Sequence, residues 1–379
     1  MHVSISRSAE RAAQVLSRPF TVGGLAVPNR IAMAPMTRMF SPGGVPNAQV
    51  VAYYARRAAA GVGLIITEGT YVDHPSAGLS DSVPRFYGED ALAGWAEVVK
   101  QVHSAGGRIA PQIWHVGVSR AEGAPPYPEA PVLSPSGVGL DGRPIGRAMT
   151  QGDVDAVIAA FADAAAAAER IGFDGVELHG AHGYLIDQFL WGGTNRRTDA
   201  YGGDPASRVR FAAELVAACR KAVSAEFPII FRTSQWKQDH YDVRMAETPQ
   251  ELEALLTPLV EAGVDVFHSS TRRYWTPEFE GSDLNLAGWT KKLTGKPTIT
   301  VGSVGLNQDF LPTFVPGTGS ERAQVADIEN LLDRLERDEF DLVAIGRALL
   351  ADPEWAEKVL TGRTDALVPY AKEQLGTLH

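Results

Sequence analysis

Two histidines and a tyrosine fall within six residues of one another: His179, His182 and Tyr184. Imidazole N–H groups can donate hydrogen bonds to a substrate oxygen, and a phenol can deliver a proton. All three belong to the stretch from Gly172 to Leu190. It begins as a strand, with Val176 and Leu178 alternating with Glu177 and His179, the period of a pleated element. Gly180 ends that strand, where a residue without Cβ lets the chain turn sharply. Donors gathered at a strand end are where α/β enzymes keep their chemistry. A histidine near a strand end is also often a hydrogen-bonded core group, and two at i, i+3 could hold a metal. A catalytic zinc site takes three protein ligands. The candidates for a third, Glu177 and Asp187, stand in no metal-binding motif, so no metal is expected.

The rest of the chain must position this cluster. With 379 residues, 45% hydrophobic and 21% charged, it has the composition of a globular protein. The net charge of −10 argues against a nucleic-acid surface, which shows as basic excess. No apolar run is long enough to span a membrane. The start, through Arg7, Glu10, Arg11 and Arg18, has no apolar signal-peptide core. Cys219 is the single cysteine, so neither an intrachain disulfide nor a cysteine-ligated cluster can form. A cytoplasmic location is the default.

Apolar, β-rich runs recur along the chain. The first ordered element is expected to be a hairpin from Phe20 to Leu25. Strands are predicted over Asn29–Thr37, Gly63–Glu68 closed by Gly69, Arg108–Trp114, the opening stretch, Phe227–Arg232, Val264–His268, Thr298–Gly302 and Asp341–Gly346. Between them lie helical patterns: Asn47–Ala60, Glu89–Ala105, Thr150–Arg170, Pro205–Val223, one starting at Thr248-Pro249, and Ile328–Glu336. Asn47 is placed to cap its helix and Gly61 to end it. Thr248-Pro249-Gln250-Glu251 resembles a capping box with proline at N1. Helix, glycine turn and apolar strand repeat at Gly61, Gly106-Gly107, Gly172 and Gly263. Eight strands joined by crossovers predict an α/β fold, a (β/α)8 TIM barrel, rather than an open sheet. Two stretches lack periodicity: 116–149, rich in proline, and 272–288, rich in aromatics. They are read as lid insertions after strands 3 and 6 of a single domain, 1–379.

In such a barrel the strand-to-helix exits form the active face. Thr37, Gly69, Gln112, His179, Arg232, Gly302 and Arg347 fall at those exits. Gly302-Ser303 and Gly346-Arg347, after strands 7 and 8, are where barrels commonly bind phosphate; Arg347 could add a bidentate contact. Gln112 and Arg232 exit strands 3 and 5. With a phosphate site they suggest a large planar ligand with a phosphate tail lying across the barrel mouth.

The chain resembles the Old Yellow Enzyme family over nearly its whole length. The resemblance is carried by Asn29 to Arg38, Thr67-Glu68-Gly69-Thr70, Gln112-Ile113-Trp114-His115, the opening stretch continuing to Gly203, and Gly346 to Pro353. It implies an FMN-dependent ene-reductase that uses NADPH or NADH to reduce an alkene activated by a carbonyl or nitro group. On that resemblance Pro35, Met36 and Thr37 lie under the flavin, and Gly69 and Gln112 contact its edge. Arg232 stands beside N1 and O2, and Gly302, Ser303, Gly346 and Arg347 cradle the phosphate. His179 and His182 bind the substrate oxygen, Tyr184 donates the proton and Trp114 shapes the pocket. Many members carry asparagine where this chain has His182. Gln235-Trp236-Lys237-Gln238 has no assignment, and no basic residue follows Gly117.

Other readings fit the same residues. A stand-alone FMN-dependent demethylase of the same superfamily is one. A flavin-free barrel such as an aldolase is another; it would want a Schiff-base lysine, and Lys237, five residues beyond Arg232, is the nearest. A homo-oligomer is compatible with the sequence.

Overall fold

The computed structural model describes residues 2–379, with side chains from residue 9 onward. Among these residues eight parallel strands close into a barrel. In chain order they are Ile31–Met33, Leu64–Tyr71, Arg108–Trp114, Val176–His179, Ile229–Ser234, Val266–Ser270, Thr298–Val301 and Leu342–Ile345. The eighth pairs with the first, Val343 opposite Ile31, which closes the cylinder. The predicted (β/α)8 architecture is therefore the fold.

Local chemistry sets the crossovers. The Asn47 side chain accepts from the Gln49 and Val50 amides and starts the helix Ala48–Ala59. Thr150 and Asp153 form a reciprocal capping box at the head of Gln151–Arg170. Thr248 accepts from Glu251 N with Pro249 in the first turn of Pro249–Ala262, and Gly263 ends that helix with φ 116°. Such caps satisfy amides that the helix itself leaves unpaired.

The barrel has an apolar floor and a polar upper layer. Ala32, Leu64, Ala110, Ile230, Ile299 and Leu342 fill the floor, together with Phe20, Leu25 and Val27 of the hairpin Phe20–Val22/Leu25–Val27. The hairpin thus stoppers one end. Above it Gln112 Nε2 donates to Glu177 Oε1 at 2.7 Å, and the other Glu177 oxygen meets His268 Nδ1 at 2.7 Å. A second apolar core, including Trp95, Phe161, Phe211 and Trp355, lies between strands and helices.

Several expectations need correction. A helix, His2–Leu16, precedes the hairpin; its Arg11 pairs with Glu329, Asp333 and Glu336. The second strand does not close at Gly69 but runs to Tyr71, with a register shift between Ile66 and Gly69. The fifth and sixth strands extend two residues beyond Arg232 and His268, which brings Ser234 and Ser270 to the top face. The end of the 272–288 segment is helical, since Asn285 caps Leu286–Thr294. The 116–149 segment holds a short turn, Gly117–Ser119, and a two-residue pairing of Leu133–Ser134 with Arg147–Ala148. Arg120, fully buried, donates to the carbonyls of Gly78, Ala124 and Tyr127 and ties this segment down. Among the described residues no helix is long and apolar enough to cross a membrane.

Candidate active site

The fourth strand ends at His179, opposite Arg232 on the fifth. The chain then passes so close to its neighbour that a Cβ on Gly180 would stand 2.3 Å from Phe231 Cζ. His182 adopts φ 65° and Gly183 φ 81°. Left-handed backbone is costly for a residue with a Cβ, by roughly 1–2 kcal/mol, so His182 must be held. Its amide donates to Ser234 Oγ at 3.0 Å, and its carbonyl accepts from Gln238 N at 3.1 Å. Gly183 N donates to Asp187 Oδ2 at 2.6 Å. Asp187 in turn pairs with Lys237 at 3.0 Å, both side chains fully buried.

This turn folds the phenol back over the strand end. The His179 ring lies 4.9 Å from that of Tyr184 and 5.2 Å from that of His182. Trp114 meets Tyr184 edge-on at 4.7 Å. Trp236 stacks on His182 at 4.3 Å with 19° between planes. His182 Nε2 reaches Ser270 Oγ at 2.8 Å.

Burial, reinforced by the Arg232 guanidinium, pushes both His179 and His182 well below the ordinary histidine range. Each is a neutral imidazole with one N–H. Burial pushes the Tyr184 phenol above its usual value, so it stays protonated at neutral pH. Burial also pulls the Arg232 guanidinium below its ordinary value, yet a guanidinium keeps its charge at neutral pH.

Beside these groups opens a cavity of about 400 Å³, within the size of ligand pockets, roughly 300–1,000 Å³. Ala34, Pro35, Met36 and Thr37 line one side, Gly302, Ser303, Gly346 and Arg347 another, and Arg232, His182, Tyr184 and Trp236 face it too. Arg232 Nε and His179 Nδ1 are buried with no hydrogen-bond partner. Buried donors without partners are unusual, and an oxygen- or nitrogen-rich ligand would satisfy them. Gly302 has φ 141°, and a Cβ there would lie 2.6 Å from Thr271 O. The cavity, its glycine rim and the unpaired Nε of its Arg232 guanidinium fit a planar, phosphate-bearing group such as FMN.

Not every expected residue reaches the cavity. Gly69, Gln112, Trp114 and His179 stand outside its lining. Gln112 is held by Glu177, and a Cβ on Gly69 would lie 2.4 Å from Trp114 Cε3. Arg347 lines the cavity, but its guanidinium donates to the carbonyls of Asp309 and Gln308 at 2.9 and 2.6 Å. Lys237, the Schiff-base candidate, is fully buried against Asp187 and does not line the cavity, so it is not placed to meet a carbonyl substrate there. Glu177 and Asp187, weighed as metal ligands, are bound to Gln112, His268, Lys237 and Gly183 instead. Among the described residues no cluster of three or more His, Cys, Asp or Glu is arranged for a metal.

The 235–238 segment, which carries no assignment in the sequence, finds a contact for each of its residues. Gln235 accepts from the Met245 and Ala246 amides. Trp236 covers His182, Lys237 pairs with Asp187, and Gln238 Nε2 donates to Tyr184 Oη at 2.5 Å. A signal was present: four large polar or aromatic side chains directly after a strand exit.

The family described as NADH:flavin oxidoreductase / NADH oxidase matches residues 15–311. An NADH oxidase of Thermoanaerobacter brockii is 36% identical over 357 residues, 91% of this chain and 50% of that protein, so the chain spans half the length of that relative. The flavin oxidoreductase hxnT of Emericella nidulans is 32% identical over 361 residues, 92% of this chain and 90% of the relative. A solved structure of morphinone reductase in complex with tetrahydroNAD superposes with a TM-score of 0.76 at 29% identity, covering 93% of this chain and 91% of that one.

Proposed function

The chain belongs to the NADH:flavin oxidoreductase / NADH oxidase family, and from that premise we propose that it is an ene-reductase, taking electrons from NADPH or NADH to reduce alkenes activated by a carbonyl or nitro group. The observation that carries this reading is a neutral imidazole and a protonated phenol, His182 and Tyr184, on the cavity wall, with the neutral imidazole of His179 packed 5.2 and 4.9 Å from them. Acceptors that develop negative charge on one oxygen and need a proton on carbon suit that trio.

Pro35, Met36 and Thr37 would hold one face of FMN, with Arg232 at its electron-rich edge and Gly302, Ser303, Gly346 and Arg347 around its phosphate. Bound FMN supplies hydride chemistry between the nicotinamide and the alkene. The chain's own residues do the rest. His179 and His182 donate to the substrate oxygen as charge builds there, and each such preplaced donor is worth roughly 3 kcal/mol. Because both imidazoles are neutral, they polarise without surrendering a full proton. Tyr184 protonates the α-carbon: its O–H bond breaks, the C–H bond forms, and the phenolate recovers a proton from water. A general acid of this kind contributes about 10²–10⁴-fold. Trp114 packs behind Tyr184 and keeps the phenol facing the cavity.

The test is a visible spectrum of the purified protein during anaerobic addition of NADPH and then 2-cyclohexenone. A flavin band that bleaches and returns supports the reading. A band that bleaches and stays bleached moves the assignment to the demethylase branch, and a protein that cannot be reconstituted with FMN removes it. Tyr184→Phe should slow re-oxidation by the enone by about 10²–10⁴-fold while NADPH bleaches the flavin at the normal rate; equal loss in both steps would deny the phenol its role.

A further inference from the structure

The end of the fifth barrel strand and the segment after it touch His182, Tyr184 and the turn that carries them. Ser234 Oγ accepts the His182 amide and donates to Trp236 O at 2.7 Å. Trp236 lies flat on the His182 ring. Lys237 anchors Asp187, which holds Gly183. Gln238 binds twice, through its backbone amide to His182 O and through its side chain to the Tyr184 hydroxyl at 2.5 Å.

That last contact decides where the phenol proton points. A phenol oxygen has one proton to give and lone pairs to accept with. The Gln238 amide nitrogen can only donate. When it donates to Tyr184 Oη, the phenol's own proton is driven away from Gln238. Among the described residues no other polar group bonds that oxygen, and Tyr184 lines the cavity. The Gln238 carbonyl is meanwhile occupied by the Ser119 hydroxyl at 3.4 Å.

We propose that Gln238 is a positioning residue: its side-chain amide donates to Tyr184 Oη and so aims the phenol proton into the cavity, toward the carbon that is to receive it. The proposal rests on the reading of Tyr184 as proton donor and extends it to a residue outside the trio. It also gives the 234–238 segment one purpose, since the same short stretch fixes the His182 backbone, covers the His182 ring and orients the phenol. The opposite amide orientation would have the Gln238 carbonyl accept the phenol's hydrogen bond and point its proton away from the cavity. The two orientations predict opposite spectroscopic changes.

The experiment uses FMN-loaded wild type, Gln238→Leu and the near-isosteric Gln238→Glu. An accepted hydrogen bond lowers the phenol C–O stretch and a donated one raises it. Ring-labelled tyrosine and subtraction of the Tyr184→Phe spectrum isolate the Tyr184 band in the infrared. Gln238→Leu should move that band upward; a downward move or no move overturns the proposal. In stopped flow both variants should bleach with NADPH at the wild-type rate. Re-oxidation by 2-cyclohexenone should slow by about 10- to 100-fold, the scale of a misaligned reacting group, and Gln238→Glu, whose carboxylate accepts the phenol's hydrogen bond and turns its proton away from the cavity, should be the slower variant. Wild-type re-oxidation in both variants would overturn the proposal. A wild type that reduces no enone would remove the ene-reductase reading, and the infrared shift would still decide the orientation by itself.

Discussion

A single methyl group at Gly69 should be felt as far as the phenol. Gly69 lies inside the second barrel strand, and its backbone is not in the left-handed region, so alanine brings no backbone strain and its effect is steric. The new Cβ would stand 2.4 Å from Trp114 Cε3 and 3.0 Å from Cδ2. Ordinary contact begins at 3.4 Å, so the indole must retreat by about 1 Å in a close-packed interior. Behind it are Tyr71 at 5.6 Å and Tyr184, edge-on at 4.7 Å. Overpacking of this kind costs about 1–3 kcal/mol. With an unfolding entropy of ~2.1 cal/mol/K per residue, the 379-residue chain carries about 0.8 kcal/mol/K, so Tm should fall by only about 1–4 °C. The functional cost should be larger. A phenol displaced by a fraction of an ångström slows proton transfer by about 10- to 100-fold. Differential scanning calorimetry of the FMN-loaded protein reads the first effect, and stopped-flow re-oxidation by 2-cyclohexenone reads the second. A Gly69→Ala protein with wild-type Tm and wild-type re-oxidation would refute the chain of contacts from Gly69 through Trp114 to Tyr184.

Other expectations follow from buried charge. Lys237→Met strands Asp187, whose carboxyl burial already pushes up to about 6; stability should drop by about 3–5 kcal/mol in denaturant titration, and Asp187→Asn in the same protein should restore most of it. The Glu68 carboxyl is pushed up to about 7 by burial, from 4.5. The fold thus favours its protonated form, a contribution that is full below pH 4.5 and lost as pH rises through 7. Glu68→Gln should gain on wild type between those pH values by about 3 kcal/mol at most, and parallel stability profiles would count against it. His179 and His182 are already neutral, so phenol binding to the oxidised protein should show no step near the ordinary histidine value of about 6.5. A tenfold loss per pH unit below it would mean that one of them titrates.

The fold was legible because its signals are local. Glycine turns before apolar strands, Asn47, Thr150 and Thr248 at helix starts, and Arg108–Trp114 as a strand all follow from residue type and period. The His179–Tyr184 cluster was legible because its members lie within one turn of chain. What could not be read depends on distant partners. Nothing near Gln238 in sequence points to a phenol 54 positions away. Gln112 looks like an exposed strand end until Glu177 is seen to hold it. Arg347 reads as a free guanidinium until the carbonyls of residues 308 and 309 fold back onto it. The fifth and sixth strands read short because Thr233-Ser234 and Ser269-Ser270 break the apolar pattern while staying buried.

The hairpin beneath the barrel has a kinetic consequence. With Phe20, Leu25 and Val27 packed into the floor, the cylinder is a cup with a single rim. In the proposed reaction the electron donor and the electron acceptor cannot arrive by separate doors. The spent nicotinamide must leave before the alkene enters. Double-reciprocal plots at several fixed alkene concentrations should therefore run parallel, and an excess of either reactant should throttle turnover by occupying the doorway the other needs.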